Sequence, residues 1–400
     1  MMQEKLRHGG RCTRRHLMQA GAGALLLQPL PGQAQDVEVA LAGFAFSGDA
    51  ASLKARFPYS LDYQAALKAS GRFPGKMLLE AAQKAPPGGL KLVGRIDELK
   101  GRDQVIAAAL VVGSETISIE KFNPLNKLLV LIRAQVMFFD FKSMAVVRSY
   151  PISFAHIDVF DHTPTPAEIA ERVRGVYEGA NNKPGIFARF GNTLAKAALP
   201  SKTSRYLGVS KIVLKPEASS NIPDYLGSTP TALDTWAADL VGEALSTRAG
   251  VPIIPFSKGY AIGNVMSVSI SDGDVYNLKL PKPDYEISVE FTRLVKKKFG
   301  EVPAGASYIY GLVSTMKIEE PVSGKVYLDA ELKNGETKVV PVTQTYVDDF
   351  PAFYDAINGL FVKLSETIAS GDTKWVKTAT SAKTIDKQIA DTRELVNLCK

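Results

Sequence analysis

Apolar positions along this chain recur with two periods, two and about 3.6, and these divide it into strands and amphipathic helices. The segment DVEVALAGFAF (36–46) predicts a first strand; DYQAALKAS and GKMLLEAAQKA predict helices. GLKLVGRID and VIAAALVVGSETISIEKF predict strands, and KLLVLIRAQVMFFDF with AVVRSYPISFAHIDVF predicts a hairpin around Lys142-Ser143. A helix with a defined start follows. Thr165 suits the N-cap, Pro166 the first helical position and Glu168 the closing residue of a capping box. Ile169, Val173, Val176 and Tyr177 then fall on one helical face, and a second helix carries Phe187, Phe190 and Leu194.

A comparable order begins again at YLGVSKIVLKP (206–216). Thr229-Pro230 opens a helix bearing Leu233, Trp236, Leu240 and Ala244, and VPIIPF predicts a short buried strand. Strands are predicted at AIGNVMSVSI, DYEISVEFTRLV and SYIYGLVSTMKIEE, and the last hairpin is expected to turn at Asn334-Gly335. Phe350, Phe353, Tyr354, Ile357, Leu360, Phe361, Leu364 and Ile368 form the best helical stripe in the sequence.

Both halves thus read as strand, helix, short strand, antiparallel strands, helix. VVGSETISIEKF (111–122) and IYGLVSTMKIEE (309–320) are loosely alike. The expected class is α+β with mixed sheets: two similar domains, each a mixed sheet packed with amphipathic helices. The expected division is a cleaved export signal over 1–34, domains over 35–203 and 204–373, and a helical tail over 374–400. One larger mixed sheet is the alternative.

The amino terminus alters the charge balance. Residues 1–19 are basic and contain Arg14-Arg15-His16-Leu17-Met18; a short, weakly apolar run follows, with small residues at Gly32 and Ala34. That is the pattern of an export signal, too short to stay in a membrane as a span. The paired arginines resemble a twin-arginine signal, with ordinary secretion as the alternative. Removing 34 residues takes away five basic side chains and one acidic, leaving 43 and 40, so net +7 becomes +3. The basicity that would point to nucleic acid resides in the signal, and Lys296-Lys297-Lys298 reads as a solvated edge or turn. Of two cysteines, Cys12 belongs to the signal and Cys399 is penultimate, which leaves no internal disulfide and no lipid-attachment cysteine after the apolar run. A periplasmic location is expected, with no transmembrane segment in the remaining chain.

The openings VEVALAGFAF and ALVVGSETISIE, with VYLDAELKNGETKV before a terminal helix, resemble the periplasmic α/β domain shared by the TolB amino-terminal domain and the curli-secretion channel subunit family. The resemblance covers about two stretches of each half, and the lipid-attachment cysteine of the curli family is missing. It implies work in envelope assembly or export through protein contacts, with no catalytic residues to carry over.

The chemistry-bearing candidate is HIDVFDH (156–162), which holds two of the chain's four histidines. On a strand, His156, Asp158 and His162 share a face, and imidazole with carboxylate suits zinc or a related divalent metal. Against this, Ile157 and Val159 read as the buried face, making the His/Asp face the wet side of a strand end. No Gly-x-Ser-x-Gly elbow is present. Two Ser-x-x-Lys matches, Ser118–Lys121 and Ser314–Lys317, fall in strands, where i and i+3 point apart. Phosphate-binding glycine loops are absent. The sequence therefore predicts an exported, non-enzymatic protein without cofactor, acting through envelope protein partners. Two alternatives stay open: a metal-dependent enzyme or metal binder using His156, Asp158 and His162, and a carrier of a small or lipidic ligand in the cleft between domains.

Overall fold

The structure is a computed structural model. It describes residues 37–93, 105–122, 124–180, 182–199, 205–227, 231–270, 275–344 and 347–400. The expected export signal and the Thr229-Pro230 helix start lie outside these residues.

The first half contains β1 (Val37–Ser47), α1 (Leu53–Arg56), α2 (Pro58–Ala69), α3 (Pro74–Lys84), β2 (Leu90–Val93), β3 (Ile106–Phe122), β4 (Leu125–Asp140), β5 (Ala145–Phe160), α4 (Pro166–Glu178) and α5 (Ile186–Lys196). The second half contains β6 (Leu207–Leu214), α6 (Pro216–Ser219), α7 (Ala232–Ala249), β7 (Ile253–Ile254), α8 (Ser257–Tyr260), β8 (Val265–Ile270) and β9 (Val275–Lys279). It continues through β10 (Tyr285–Val302), β11 (Gly305–Glu320), β12 (Lys325–Pro341), α9 (Phe350–Ser370), α10 (Lys374–Ala379) and α11 (Ile385–Cys399).

The expected α+β class with two similar mixed sheets is observed. One sheet runs β2-β1-β3-β4-β5 and the other β7-β6-β10-β11-β12. In each, the first strand lies parallel to a short edge strand and to the first of three long antiparallel strands. The equivalent strands are β3 and β10, so the sequence likeness between 111–122 and 309–320 joins β3 to β11, which are not counterparts. Both segments share only a pattern common to long strands.

The hairpin β8–β9 lies in the second half of the chain yet belongs to the first sheet. Ile270 of β8 pairs with Ala45 of β1, and Lys279 of β9 meets Ala145 of β5, so the hairpin bridges both sides of that sheet. Strands β8 and β9 thus cross the boundary expected at 203/204, and Asp36–Lys400 forms one compact unit.

Asn334-Gly335 is not a turn. Both residues sit inside β12, opposite Leu312 and Gly311. The buried Asn334 amide donates to the Ala356 carbonyl at 2.8 Å and accepts from Lys363 at 3.0 Å, so its polar groups are satisfied by α9 instead of a tight turn. The chain reverses at 303–304 and 321–324 instead.

Strand β4 shows how the core is divided. Its even positions Leu128, Val130, Ile132, Val136 and Phe138 face α2–α5, while Leu129, Leu131, Met137 and Phe139 face α7 and the β8–β9 hairpin. Both faces are covered, so the strand reads as a continuous apolar run. Helix α7 is likewise buried nearly all round, from Trp236 to Ala249, because it lies against β5, β6 and α9 at once. In β1, Gly43 (φ +106°) marks a shift of register against β3, a conformation that suits glycine.

Helix α4 starts as predicted. Thr165 accepts from the Glu168 amide while Glu168 accepts from the Thr165 amide at 2.8 Å, closing the capping box. Ile169, Val173, Val176 and Tyr177 are all buried. Tyr177 stacks on Tyr63 with ring centroids 4.8 Å apart and donates to the Ser60 hydroxyl at 2.7 Å.

Candidate functional site

HIDVFDH ends β5 and runs toward α4, but its faces are reversed from expectation. Ile157 and Val159 are 53% and 55% exposed, whereas His156 and Asp158 are half-buried. The reason is tertiary: α4 covers the His/Asp side, and Arg172 on that helix reaches back to Asp158 at 2.7 Å and 2.8 Å. Burial opposes ionisation of Asp158, yet its bond to Arg172 holds the carboxyl below its ordinary value. Burial lowers His156.

His162 lies past the strand end. One ring nitrogen is 2.8 Å from Asp161 and the other 3.1 Å from Glu168, contacts that raise its pKa. The backbone and hydroxyl of Thr165, with His162, hold Glu168 down at about 2. The structure therefore places His156 and Asp158 beside α4 and gives His162 to the helix cap. Among the described residues no three His, Cys, Asp or Glu side chains converge as a metal would require. Ser118–Lys121 and Ser314–Lys317 lie in strands as predicted, and the buried Ser314 hydroxyl donates to the Glu290 carbonyl at 2.8 Å. Lys296-Lys297-Lys298 lies within β10, fully on its exposed stretch, with Lys296 bound to Asp349 at 2.8 Å.

A different place has the form of a site. Where β3 and β4 face α7 and the 225–226 segment, a cavity of about 260 Å³ opens. Arg133 stands at its base, projecting from the middle of β4 at 5% exposure. It donates to the Trp236 carbonyl at 2.8 Å, sits 6.0 Å from that indole ring's centre and lies 3.6 Å from Asp239. Its buried Nε has no hydrogen-bond partner among the described residues. Asp239 accepts from the Tyr260 hydroxyl at 2.6 Å. Burial raises the Asp239 carboxyl to about 6, with Arg133 and Tyr260 opposing, and burial beside Asp239 holds Tyr260 far above its ordinary value.

The surrounding chain is shaped to admit these groups. A Cβ at Gly113 would lie 2.7 Å from the Tyr260 ring, so only glycine in β3 leaves room for that side chain. Glu115, two residues on, accepts from the Tyr59 and Ser60 amides at 3.1 Å and 2.7 Å and so caps α2 from outside, in the absence of a capping side chain on that helix. At the mouth, Arg56 donates to Ser47 and Gly113 carbonyls and, among the described residues, has no carboxylate in ion-pair reach.

A second cavity, of about 210 Å³, adjoins the first and shares Leu131, Tyr225, Leu226 and Trp236 with it. Leu129, Ala155 and Ile157 wall it on one side; Phe350 and Tyr354 of α9 wall it on the other. These two aromatics belong to the helical stripe predicted for α9 but are only partly buried, because that end of the stripe faces open space. The exposed Ile157 has the same explanation.

None of Arg133, Asp239 or Tyr260 was singled out from sequence. A signal was present in two of them: Arg133 is the one charge in LLVLIRAQVMFF, and Asp239 interrupts the apolar TWAADLVGEAL. A charge within a wholly apolar element has to find a buried partner.

Fold and cleft together define a two-sheet α+β protein with two adjoining cavities walled from both of its halves. No known protein family matches the chain, and no curated protein does. Among solved structures it is similar to a Xanthomonas campestris protein of family DUF330, at 14% identity and TM-score 0.23, over 42% of this chain and 82% of the other. It is also similar to a Helicobacter pylori protein described as a neuraminyllactose-binding hemagglutinin homologue, at 12% identity and TM-score 0.20, over 45% and 95%. At these scores neither likeness carries a functional assignment.

Proposed function

We propose that this is an exported envelope protein that binds a small ligand non-catalytically in the cleft between its two sheets. The observation that carries the reading is the pair of adjoining cavities, walled from both halves of the chain, one lined by a buried Arg–Asp–Tyr group and the other mostly by apolar and aromatic side chains, with Lys127 and Asp355 beside them. Pockets that take small molecules combine an apolar lining with a few placed polar groups and favour seams between folded halves. The export signal and the likeness to TolB and curli-channel domains, both read from sequence, support the envelope setting. Contacts with envelope partners would then deliver or receive the ligand.

The test is binding of a neutral apolar dye such as phenylnaphthylamine to the purified chain, followed by fluorescence. Saturable binding near one site per chain is expected. Ala155→Trp places an indole in the apolar cavity from an exposed strand position and is expected to weaken the dye at least about tenfold, or about 1.4 kcal/mol. A dye that does not saturate, or that binds the variant equally well, would refute the cleft.

A further inference from the structure

The cleft has direction, and that direction specifies a chemical class of ligand. Side chains alternate along a strand, so Leu129, Leu131 and Arg133 project from β4 on one face and in order. Leu129 and Leu131 line the apolar cavity and Arg133 the polar one, with Leu131 common to both. From Leu129 to Arg133 the strand rises about 13 Å. A ligand lying along this stripe meets mostly apolar and aromatic walls first, from Ile157, Phe350 and Tyr354, with Asp355 and Lys127, the latter ion-paired to Glu120 and Asp348, also on the lining, and then a guanidinium.

The guanidinium is incompletely used. Arg133 is 5% exposed and its Nε lacks a partner among the described residues; it forms an ion pair with Asp239 at 3.6 Å, longer than a good hydrogen bond, while Asp239 makes its short bond to Tyr260. A buried cation with an unmade hydrogen bond favours an acceptor, and a charged acceptor most. Arg56 adds a second cation, with no carboxylate in ion-pair reach among the described residues, while the Glu115 carboxylate on the same lining is taken up by the Tyr59 and Ser60 amides. The threonine hydroxyls of residues 116, 231 and 235 line the same cavity.

Resting on the cleft reading above, we propose that the ligand is a single-chain anionic amphiphile, its acidic headgroup held at Arg133 and its hydrocarbon chain laid along Leu131 and Leu129 toward Ile157 and Tyr354. The acid of the ligand completes the hydrogen bonding of Arg133, and the apolar cavity takes the chain out of water. Uncharged and cationic amphiphiles of equal length share only the second contribution.

The experiment uses the full chain with Trp375→Phe, so that Trp236, on the wall common to both cavities, reports binding by its fluorescence. Decanoate, decanol and decyltrimethylammonium are titrated below their aggregation concentrations into this protein and into the same protein carrying Arg133→Met. Decanoate is expected to bind at least about tenfold more tightly than either of the others, and Arg133→Met to abolish that preference while decanol binding persists. Equal binding of decanoate and decanol, or a preference that survives Arg133→Met, overturns the headgroup assignment and leaves the cleft standing. Failure of all three to bind overturns the cleft itself. Should Arg133→Met not fold, the ranking of the three amphiphiles on unsubstituted Arg133 decides the matter.

Discussion

The Asp239 carboxyl makes the stability of this protein depend on pH in a direction opposite to that of most acids. It is 7% exposed, and burial raises it from 3.8 to about 6 against the opposing pull of Arg133 and Tyr260. The fold therefore keeps a proton that the unfolded chain has released, a difference on the order of 3 kcal/mol. Its contribution is full below the unfolded value of 3.8 and is lost as pH rises through about 6. Asp239→Asn stays neutral throughout and still accepts from Tyr260. Relative to the unsubstituted protein, the variant is expected to gain on the order of 2–3 kcal/mol between about pH 4 and about pH 7.5. Urea denaturation followed by tryptophan fluorescence, run on both proteins across that range, measures the difference and cancels every other titrating group. A difference that stays flat with pH, or falls as pH rises, would refute the reasoning, since it would mean that Arg133 fully neutralises the carboxylate in the fold.

Three further substitutions probe the framework. Thr165→Ala removes one half of the α4 capping box and is expected to cost about 1 kcal/mol in thermal or chemical denaturation. Tyr177→Phe leaves the buried Ser60 hydroxyl without its 2.7 Å donor and is expected to cost about 1–2 kcal/mol in urea, with the Tyr63 stacking retained. At Gly191 in α5, helix propensity favours alanine by about 1 kcal/mol. A Cβ there would stand 2.3 Å from the Ala81 carbonyl oxygen of α3, however, and overpacking of about 1–3 kcal/mol is expected to win. A lower melting temperature for Gly191→Ala is the outcome to look for; a higher one would show that the α3–α5 crossing relaxes freely.

Most elements were legible from local pattern. The α4 capping box and apolar face follow from residues within one or two turns of each other, and the structure reproduces them residue by residue. Asn334-Gly335 failed because a strong local turn signal competed with α9, which supplies hydrogen-bond partners for Asn334 from residues 356 and 363. The buried face of β5 at 156–159 failed for a related reason. Period two separates the faces of a strand but does not say which one a distant helix will cover. The candidate site was the least legible part, since Arg133, Asp239 and Tyr260 come from β4, α7 and α8 and acquire meaning only when those elements meet.

The sequence by itself determined most of the strands and helices, the α+β class and the apolar stripes that build the core, because each rests on periodicity or on partners a few residues apart. Tertiary structure alone decided that β8 and β9 join the first sheet, that α7 is enclosed on nearly all sides and that a cleft lies between the halves. These depend on which surfaces meet across hundreds of residues. Burial there raises Asp239 and leaves the Nε of Arg133 without a hydrogen bond among the described residues, and no local pattern encodes that environment.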